Sequence, residues 1–420
     1  MRLRQIVGGY IYFARGGHEF DGKEINPLDE GEIRRIAEDI HAKEISSIAI
    51  TSVFSPVNSD CERHAAEILE AELPGCHISL SGELGRIGLL PRENATILNA
   101  CLRDLAEDIT RGLSSALREV GILAPLYLSQ NDGTLMDIDH GRRYPVLTFS
   151  SGATNSMHGA AFLTGLRECI VVDVGGTTTD IGALTRGFPR EAPFETDIGG
   201  VRTNFRMPDL LSIGIGGGSL VRSDHPDMVG PDSVGHELTN QARVFGGPTL
   251  TATDLAVAAG LAEIGEPERV RSLDRTMVGD ALRYISETVR NAADSMRSSR
   301  ASIPLVVVGG GSILLPAEMD GFAAVIRPKH HAVANAIGTA IAQVGGEVDG
   351  IYNTDRLSRE AILSQAKEEA AAKAVAVGAS AETVNIVEVD EIPLTYLNGK
   401  SVRVRVKAVG ELATVSTGSG

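Results

Sequence analysis

Apolar positions recur at two spacings along the first part of the chain. "EIRRIAEDIHA" sets Ile33, Ile36, Ala37 and Ile40 at helical intervals, and "SSIAITSVF" reads as a buried strand. "NSDCERHAAEILEAEL" opens with cap-type residues and continues as a helix, and "CHISLS" is a second strand. A helix of about 25 residues is expected after Asn94, then strands at "PLYLSQNDG" and "YPVLTFSSG". Helix and strand in alternation predict a mostly parallel or mixed sheet covered by helices.

The pattern restarts near Glu168. A strand over 169–173 runs into a small polar turn and returns as a strand over 179–184. Gly- and Pro-rich loops follow to about 250, among them "SIGIGGGS" at 212–219. Helices are expected around 251–263 and 276–299, the second stacking Ala281, Ile285, Val289, Ala292 and Met296 on one face. "IPLVVVGGGSILLP" is a strand entering a glycine turn, and "HHAVANAIGTAIAQVG" a closing helix. A charged helix over 357–377 and strands at "TVNIVEV" and "SVRVRVKAV" form a small α+β tail, and the last residues are expected to fray.

Composition narrows the function. The chain has 420 residues, net charge −16, no Trp and only 4% aromatics, which argues against base stacking and nucleic-acid binding. Cys61, Cys76, Cys101 and Cys169 lie far apart with no CxxC, so neither a zinc cage nor a disulfide framework is expected, and reduced thiols point to a cytoplasmic protein. The N-terminus lacks a signal-peptide core, and no apolar run reaches the roughly 18 residues of a membrane span.

The candidate chemistry sits in "IVVDVGGTTTDI", residues 170–181. Gly175 and Gly176 permit a tight turn and leave their amides uncovered, so successive N–H groups can form an anion nest. Thr177, Thr178 and Thr179 add hydroxyls for phosphate oxygens. Asp173, at the carboxyl end of the strand, is placed to hold a metal-bound water or to orient an attacking one, and Asp180 to fix the turn or help hold such waters. The plainer reading is a hairpin whose Thr and Asp satisfy its own backbone. Gly309, Gly310, Gly311 and Ser312 make a second strand-to-turn element, either an ordinary βα turn or a surface for an adenosine sugar and base. This second turn has the spacing of neither a dinucleotide-binding nor a Walker loop. Further candidates for substrate or interlobe contact are Asn131, Asp132 and Gly133, Ser151 and Thr154 at a helix start, and Gly216, Gly217 and Gly218. Each has an ordinary alternative as turn, helix cap or connection.

The two glycine turns, about 135 residues apart, resemble the phosphate-2 and adenosine motifs of the sugar kinase–chaperone–actin ATPase superfamily. Closer still is the hydantoinase/oxoprolinase family, A-type subunit. The resemblance includes "TSVFSPVNSDCERHAAEIL", "SLSGELG", "NATILNACL", "LSQNDGTLM", "PVLTFSSGATNSMHGAA", "DIGGVRTNFRMPDLLSIGIGGGS", "VGPDSVG", "GGPTLTATDLAVAAG" and the tail "VEVDEIPLTYLNGKSVRVRVKAVGEL". It implies an α/β, actin-like (RNase H-like) two-lobe fold: residues 1–167 as a truncated first lobe, 168–350 as the second lobe and 351–420 as the α+β segment. It implies ATP and Mg²⁺ as cofactors, Mg²⁺ meeting Asp173 through water. It also implies phosphorylation of a cyclic amide such as a hydantoin or 5-oxoproline, a B-type partner subunit, and homo- or hetero-oligomers. Three departures stand out. No D-G-G-T hairpin precedes Asp173, so the first-lobe sheet is expected to lack its leading strands and the chain alone to bind ATP weakly. Ala153 replaces a common proline in the "SGPA"-like segment. "HELTNQARVFGG" stands where a Pro- and Cys-containing stretch is usual. Alternatives are an assembly subunit with little turnover and a subunit of an ATP-dependent ketone carboxylase.

Overall fold

A computed structural model describes residues 7–413 except 21, 86–87, 193–195, 206, 223–224, 300, 355–356 and 395–400. Residues 414–420, expected to fray, lie outside the described residues.

Helix α1 (Glu30–Ala42) begins where the Asp29 carboxylate accepts from the Glu32 amide at 3.0 Å, and it buries Ile33, Ala37 and Ile40. Strands β1 (Ser47–Ile50) and β2 (His77–Leu80) pair in parallel, with α2 (Asp60–Glu72) as the crossover that parallel pairing requires. A single turn, α3 (Ser81–Leu84), leads into α4 (Leu89–Glu119), which at 31 residues exceeds the expected length. Beneath α4 lies a polar core. Glu62 and Arg92 are fully buried. Glu62 accepts from the Ser52 amide (2.6 Å), the Ser81 hydroxyl (2.5 Å) and the Gly82 amide (2.9 Å). Arg92 donates to Ser81 Oγ (3.0 Å) and to the Ser52 carbonyl (2.6 Å). The charges thereby tie the carboxyl ends of β1 and β2 together.

Strands β3 (Tyr127–Ser129) and β4 (Leu135–Asp137) and helix α5 (Ile138–Arg143) follow. The strand expected at "YPVLTFSSG" is a 3-10 turn, Pro145–Thr148. Its backbone is spent on a loop and a side chain instead of a neighbouring strand. The Leu147 carbonyl accepts from the Asn131 amide (2.6 Å), and the Val146 amide donates to Asn99 Oδ1 (3.4 Å).

Helix α6 (Ser151–Thr164) returns into β5 (Cys169–Val174) and β6 (Thr179–Thr185). Short strands β7 (Phe188–Pro189), β8 (Thr196–Ile198), β9 (Val201–Thr203) and β10 (Leu210–Ile213) come next. Then come β11 (Ser219–Arg222), β12 (His225–Ser233), α7 (Leu238–Gln241), α8 (Ala252–Ala258) and α9 (Arg275–Ser295). Strands β13 (Leu305–Val308) and β14 (Val325–Ile326) and helix α10 (Ala334–Ala340) complete this part.

The central sheet runs β10-β6-β5-β13-β14. Strands β5, β6 and β10 form an antiparallel meander, and β13 and β14 run parallel to β5. Both faces are covered, which is why β5 and β13 read as continuous apolar runs. Ile170, Val172 and Val174 pack with α8 and α9; Cys169 and Val171 pack with Met157 and Ala160 of α6 and Ala334 of α10. Alternation along β5 therefore points Asp173 toward α6. Helices α6 and α10 touch backbone to backbone: a Cβ on Gly159 would overlap the Ala334 carbonyl, and one on Gly338 the Asn155 carbonyl.

The tail contributes β15 (Val344–Asn353), α11 (Arg359–Ala376), β16 (Asn385–Pro393) and β17 (Ser401–Gly410). Its sheet, β16-β17-β15-β4-β3, draws in the earlier hairpin 127–137, so it is not built from tail residues alone. The free edge of β15 takes β4 at Val344↔Leu135, while α11 covers one face with Ile362, Ala366, Ala370 and Ala374. Among the described residues no helix is long and apolar enough to cross a membrane.

Glu62→Ala strands the Arg92 charge in the core and should destabilise the protein by about 3–5 kcal/mol. Urea and thermal melts of the variant check this; a midpoint equal to the parent's would show that the network carries no stability.

Candidate functional site

The hairpin tip between β5 and β6 is shaped by a second loop lying on it. The Gly217 amide donates to the Gly175 carbonyl (3.0 Å) and the Gly218 amide to the Gly176 carbonyl (2.7 Å). In a trans peptide the C=O of one residue and the N–H of the next point in opposite directions. Fixing those two carbonyls on the clamp therefore turns the amides of Gly176 and Thr177 away from it. Among the described residues, nothing accepts from the amides of Gly176, Thr177 or Thr178. Such close approach needs glycine: a Cβ on Gly216 would stand 2.7 Å from the Thr177 nitrogen. Gly216, Gly217 and Gly218 are buried, so the loop is a brace on the hairpin and neither a flexible connection nor an open ligand surface.

The brace is itself held. The Gly217 carbonyl accepts from the Thr253 amide (2.9 Å) and hydroxyl (2.8 Å) at the start of α8, and the Gly218 carbonyl from the Val234 amide (3.0 Å). The Thr251–Asp254 capping box starts α8, and buried Asp254 also accepts from the Val244 amide at 2.7 Å.

The second glycine turn meets the first. A Cβ on Gly309 would overlap Asp173 Oδ1, and one on Gly311 would stand 2.8 Å from the Gly175 carbonyl. Gly309 has φ +86°, which favours glycine independently of the space. His331 braces this turn: its carbonyl accepts from the Gly309 amide (3.0 Å) and Nδ1 meets Ser312 Oγ (3.1 Å). Beside Ser312 opens a cleft of ≈ 610 Å³ lined by Leu261, Leu282, Ser286, Pro316, Arg327 and His331. Arg327 donates to the carbonyls of Leu315 (2.6 Å) and Pro316 (2.9 Å).

Other predicted residues divide. Thr177 and Thr178 are exposed on the tip, as is Gly310 on the second turn. Thr179 is buried and its hydroxyl donates to the Ile215 carbonyl (2.6 Å), so that donor is not offered outward. Asp180, opposite Asp173 in register, accepts from the Ser212 hydroxyl. Asn131, Asp132 and Gly133 are not at the hairpin. Asp132 caps its own turn through the Thr134 amide (2.9 Å) and pairs with Lys407 (2.6 Å), while Thr154 donates to the Asn131 carbonyl (2.8 Å). That turn lines a cleft of ≈ 680 Å³ together with Gly82, Glu83, Tyr144, Gly346 and Lys407. Ser151 is half-buried at the first turn of α6.

Asp173 is the electrostatic centre. Burial raises its carboxyl above the ordinary range, the Ser156 hydroxyl beside it acts in the opposite sense, and the Asp180 charge raises it further. Ser156 Oγ nevertheless has no partner in good hydrogen-bond geometry. Sequence reasoning missed Ser156, since one serine inside a helix gives no signal until the helix is laid against Asp173.

A glycine hairpin with outward amides, a carboxylate at its base and a second glycine turn against it is the candidate site of this α/β protein. The chain belongs to the hydantoinase/oxoprolinase family. The model described as hydantoinase/oxoprolinase matches residues 92–266, and that of the family's N-terminal region matches residues 4–73. The alpha subunit of caprolactamase from Pseudomonas jessenii is 28% identical over 61% of this chain and 37% of that protein. The gamma subunit of acetophenone carboxylase from Aromatoleum aromaticum is 26% identical over the same two shares, 61% and 37%. The chain thus spans little more than a third of the length of the curated relatives it matches. The solved ATP-dependent caprolactamase of Pseudomonas jessenii superposes with TM-score 0.73 at 19% identity, over 96% of this chain and 70% of that one. Nucleotide-free acetone carboxylase superposes with TM-score 0.69 at 18% identity, over 98% and 72%. These likenesses establish the mixed α/β fold.

A raised carboxyl means that the folded chain keeps a proton which the unfolded chain releases, so stability is lost as pH rises through the raised value. Asp173→Asn removes that loss. Without nucleotide, the variant should melt above the parent at pH 8, and the gap should close as pH falls toward about 4. Melting temperatures across that range decide it; an Asp173→Asn variant that melts lower at pH 8 would contradict the assigned environment.

Proposed function

We propose that this chain is the nucleotide-handling part of an ATP-dependent enzyme that activates a cyclic amide, of the hydantoin or 5-oxoproline class, for ring opening. The observation that carries the reading is the orientation of the hairpin tip, with carbonyls fixed inward on Gly217 and Gly218 and amides left outward for an anion. Strand order supports an actin-like, RNase H-like lobe over roughly 168–350: numbered within the sheet it is third-second-first-fourth-fifth, the first three antiparallel and the last two parallel. The division at 167/168 and 350/351 is part of this proposal, with the tail sheet completed by β3 and β4.

The residues present fit the groups they would hold. Amides of Gly176, Thr177 and Thr178 and the exposed Thr177 and Thr178 hydroxyls would take phosphate oxygens. The turn 309–312 and the cleft beside Ser312 would take the sugar and base. Asp173 is half-buried with its carboxyl raised, so a cation close by would relieve the cost of its charge. Among the described residues no three His, Cys, Asp or Glu side chains gather to hold a metal ion. A single carboxylate suits Mg²⁺ held through water. Bound ATP supplies the phosphoryl group that turns an amide oxygen into a leaving group. The chain's part is to fix the phosphates, hold the cation's water at Asp173 and offset developing charge with backbone amides. Hydrolysis of the activated amide falls to a B-type partner, in keeping with relatives named as alpha, gamma and beta subunits.

A second reading, activation of a ketone for carboxylation, is favoured by relatives named as acetophenone and acetone carboxylase subunits at nearly the same identity as the caprolactamase one. A chain that binds nucleotide for assembly alone, with little turnover, is the remaining alternative. ATP hydrolysis by the purified chain, with and without a B-type subunit, across hydantoins, 5-oxoproline and ketones separates them. Cyclic amides should stimulate turnover, and Asp173→Asn should lower it by roughly two orders of magnitude or more. Stimulation by ketone and bicarbonate only would move the chain to the carboxylase reading. Parent-like turnover in the variant would remove Asp173 from the chemistry.

A further inference from the structure

Helix α6 is anchored to β5 through an antiparallel packing that fixes where its N-terminus lies. Ser156 stands beside Asp173, and only four residues join Thr164 at the end of α6 to Cys169 at the start of β5, so the two elements run in opposite directions. From Ser156 back to Ser151 the helix advances about 7.5 Å. From Asp173 on to Gly176 the strand advances about 10 Å. The two ends therefore project past the Ser156–Asp173 contact in the same direction and by similar amounts, which brings the start of α6 level with the hairpin tip.

That helix start is open. Ser150 precedes it in a left-handed conformation, φ 60°, and its side chain makes no capping hydrogen bond, so the N-cap expected for this serine-rich start is absent. Among the described residues the amides of Ser151, Gly152 and Ala153 have no acceptor. Asn335 donates to the Gly152 carbonyl (2.7 Å) and so holds the first turn in place from α10 without covering those amides. A second observation is independent of the helix end. Two neighbouring polar side chains of α6, Asn155 and Ser156, are 5% and 1% exposed, yet Asn155 Oδ1 has no hydrogen-bond partner and Ser156 Oγ has none in good geometry, the Asp173 carboxylate beside it included. Buried polar atoms without partners are costly, and here one of them faces the Asp173 carboxylate.

We infer that α6 is the second half of the phosphate clamp: its amide end receives the terminal phosphate opposite the hairpin tip, and Ser156 positions the water held at Asp173. This rests on the nucleotide reading above and adds a donor set outside the glycine hairpin. It answers the expectation that a chain with one visible hairpin binds ATP only weakly. Three amides at the end of a 14-residue helix, with the helix dipole behind them, act on the same anion as the hairpin's three. Ser156 is a positioning residue: it acts through Asp173 and not on the nucleotide directly.

Titration calorimetry of the full chain with MgATP, MgADP and adenosine tests this in the parent, Gly152→Glu and Ser156→Ala. Gly152 is exposed and helical, and a Cβ there meets nothing closer than Asn335 Nδ2 at 3.5 Å. A carboxylate at a helix start also favours the helix, so the melting temperature of Gly152→Glu should not fall. Its MgATP affinity should drop roughly tenfold or more, with adenosine affinity unchanged. Ser156→Ala should weaken MgATP more than MgADP, since only the terminal phosphate lies at Asp173. Unchanged MgATP affinity in both variants overturns the inference and leaves the nucleotide reading intact. Equal losses for adenosine and MgATP in Gly152→Glu also overturn it, because the effect would then not be on the phosphates. A parent chain that binds neither MgATP nor MgADP overturns both.

Discussion

Two amide-to-carbonyl hydrogen bonds, Gly217 to Gly175 and Gly218 to Gly176, decide what the hairpin tip can do. A glycine turn between two strands has no intrinsic polarity, because its peptide planes can rotate at little steric cost. Holding the two carbonyls removes that freedom and leaves a one-sided tip, with donors outward and acceptors inward. Each bond is worth only about 1 kcal/mol in net stability. Their larger effect is preorganisation, since an anion that finds the amides already turned does not have to order them.

The constraint extends through the fold by contacts that have little to do with chemistry. Asp254 is buried at the start of α8 and satisfied by the Thr251 hydroxyl (2.9 Å) and the amides of Thr251 (2.7 Å) and Val244 (2.7 Å). It fixes the helix start that carries Thr253, and Thr253 fixes Gly217. Helix α8 packs in turn through Leu255 and Ala256 in the same apolar cluster as Ile170, Val172 and Val174, the strand that carries Asp173. The brace and the hairpin thus share one core, and displacing either moves both. On the opposite face Gly159 and Gly338 let α6 and α10 approach backbone to backbone, at a separation that larger residues would forbid.

Most elements were legible because their periods were clean. The strands at 47–50, 77–80, 169–174, 179–185 and 305–308 and the helices at 30–42, 275–295 and 359–376 follow from apolar spacing and turn residues. The failures share a cause. "YPVLTFSSG" alternates like a strand, but nothing in a single segment says whether a neighbour will accept its backbone bonds, and Asn99 and Asn131 take them instead. The tail reads as a separate α+β unit because the pairing of β15 with β4 joins residues more than 200 positions apart. In the site, the hairpin and the second turn declared themselves through glycines between apolar strands. "GIGGGS" left its role open because only the fold shows which backbone groups its amides meet. Ser151 and Thr154 marked the start of α6 as a candidate, but its missing cap and the placement of Ser156 against Asp173 gave no signal, being ordinary residues made unusual by placement.

An acidic chain meets a particular difficulty with a polyphosphate. With 55 Asp and Glu against 39 Lys and Arg, the long-range field repels an anion and gives no help to its approach. Binding must then come from fields that act over a few ångströms. Backbone amides suit this, because their partial charges are fixed by the fold, need no counter-ion and fall off within a turn of structure. On the proposed reading a divalent cation would suit it too, since it would arrive with the nucleotide and cancel charge where Asp173 and Asp180 oppose each other across β5 and β6. The carboxylate that would be a liability in an empty anion site would then become the anchor for that cation's water. On this account the site's acidity and its amide tips would be one device: the acids would recruit the metal, and the amides would hold what the metal brings.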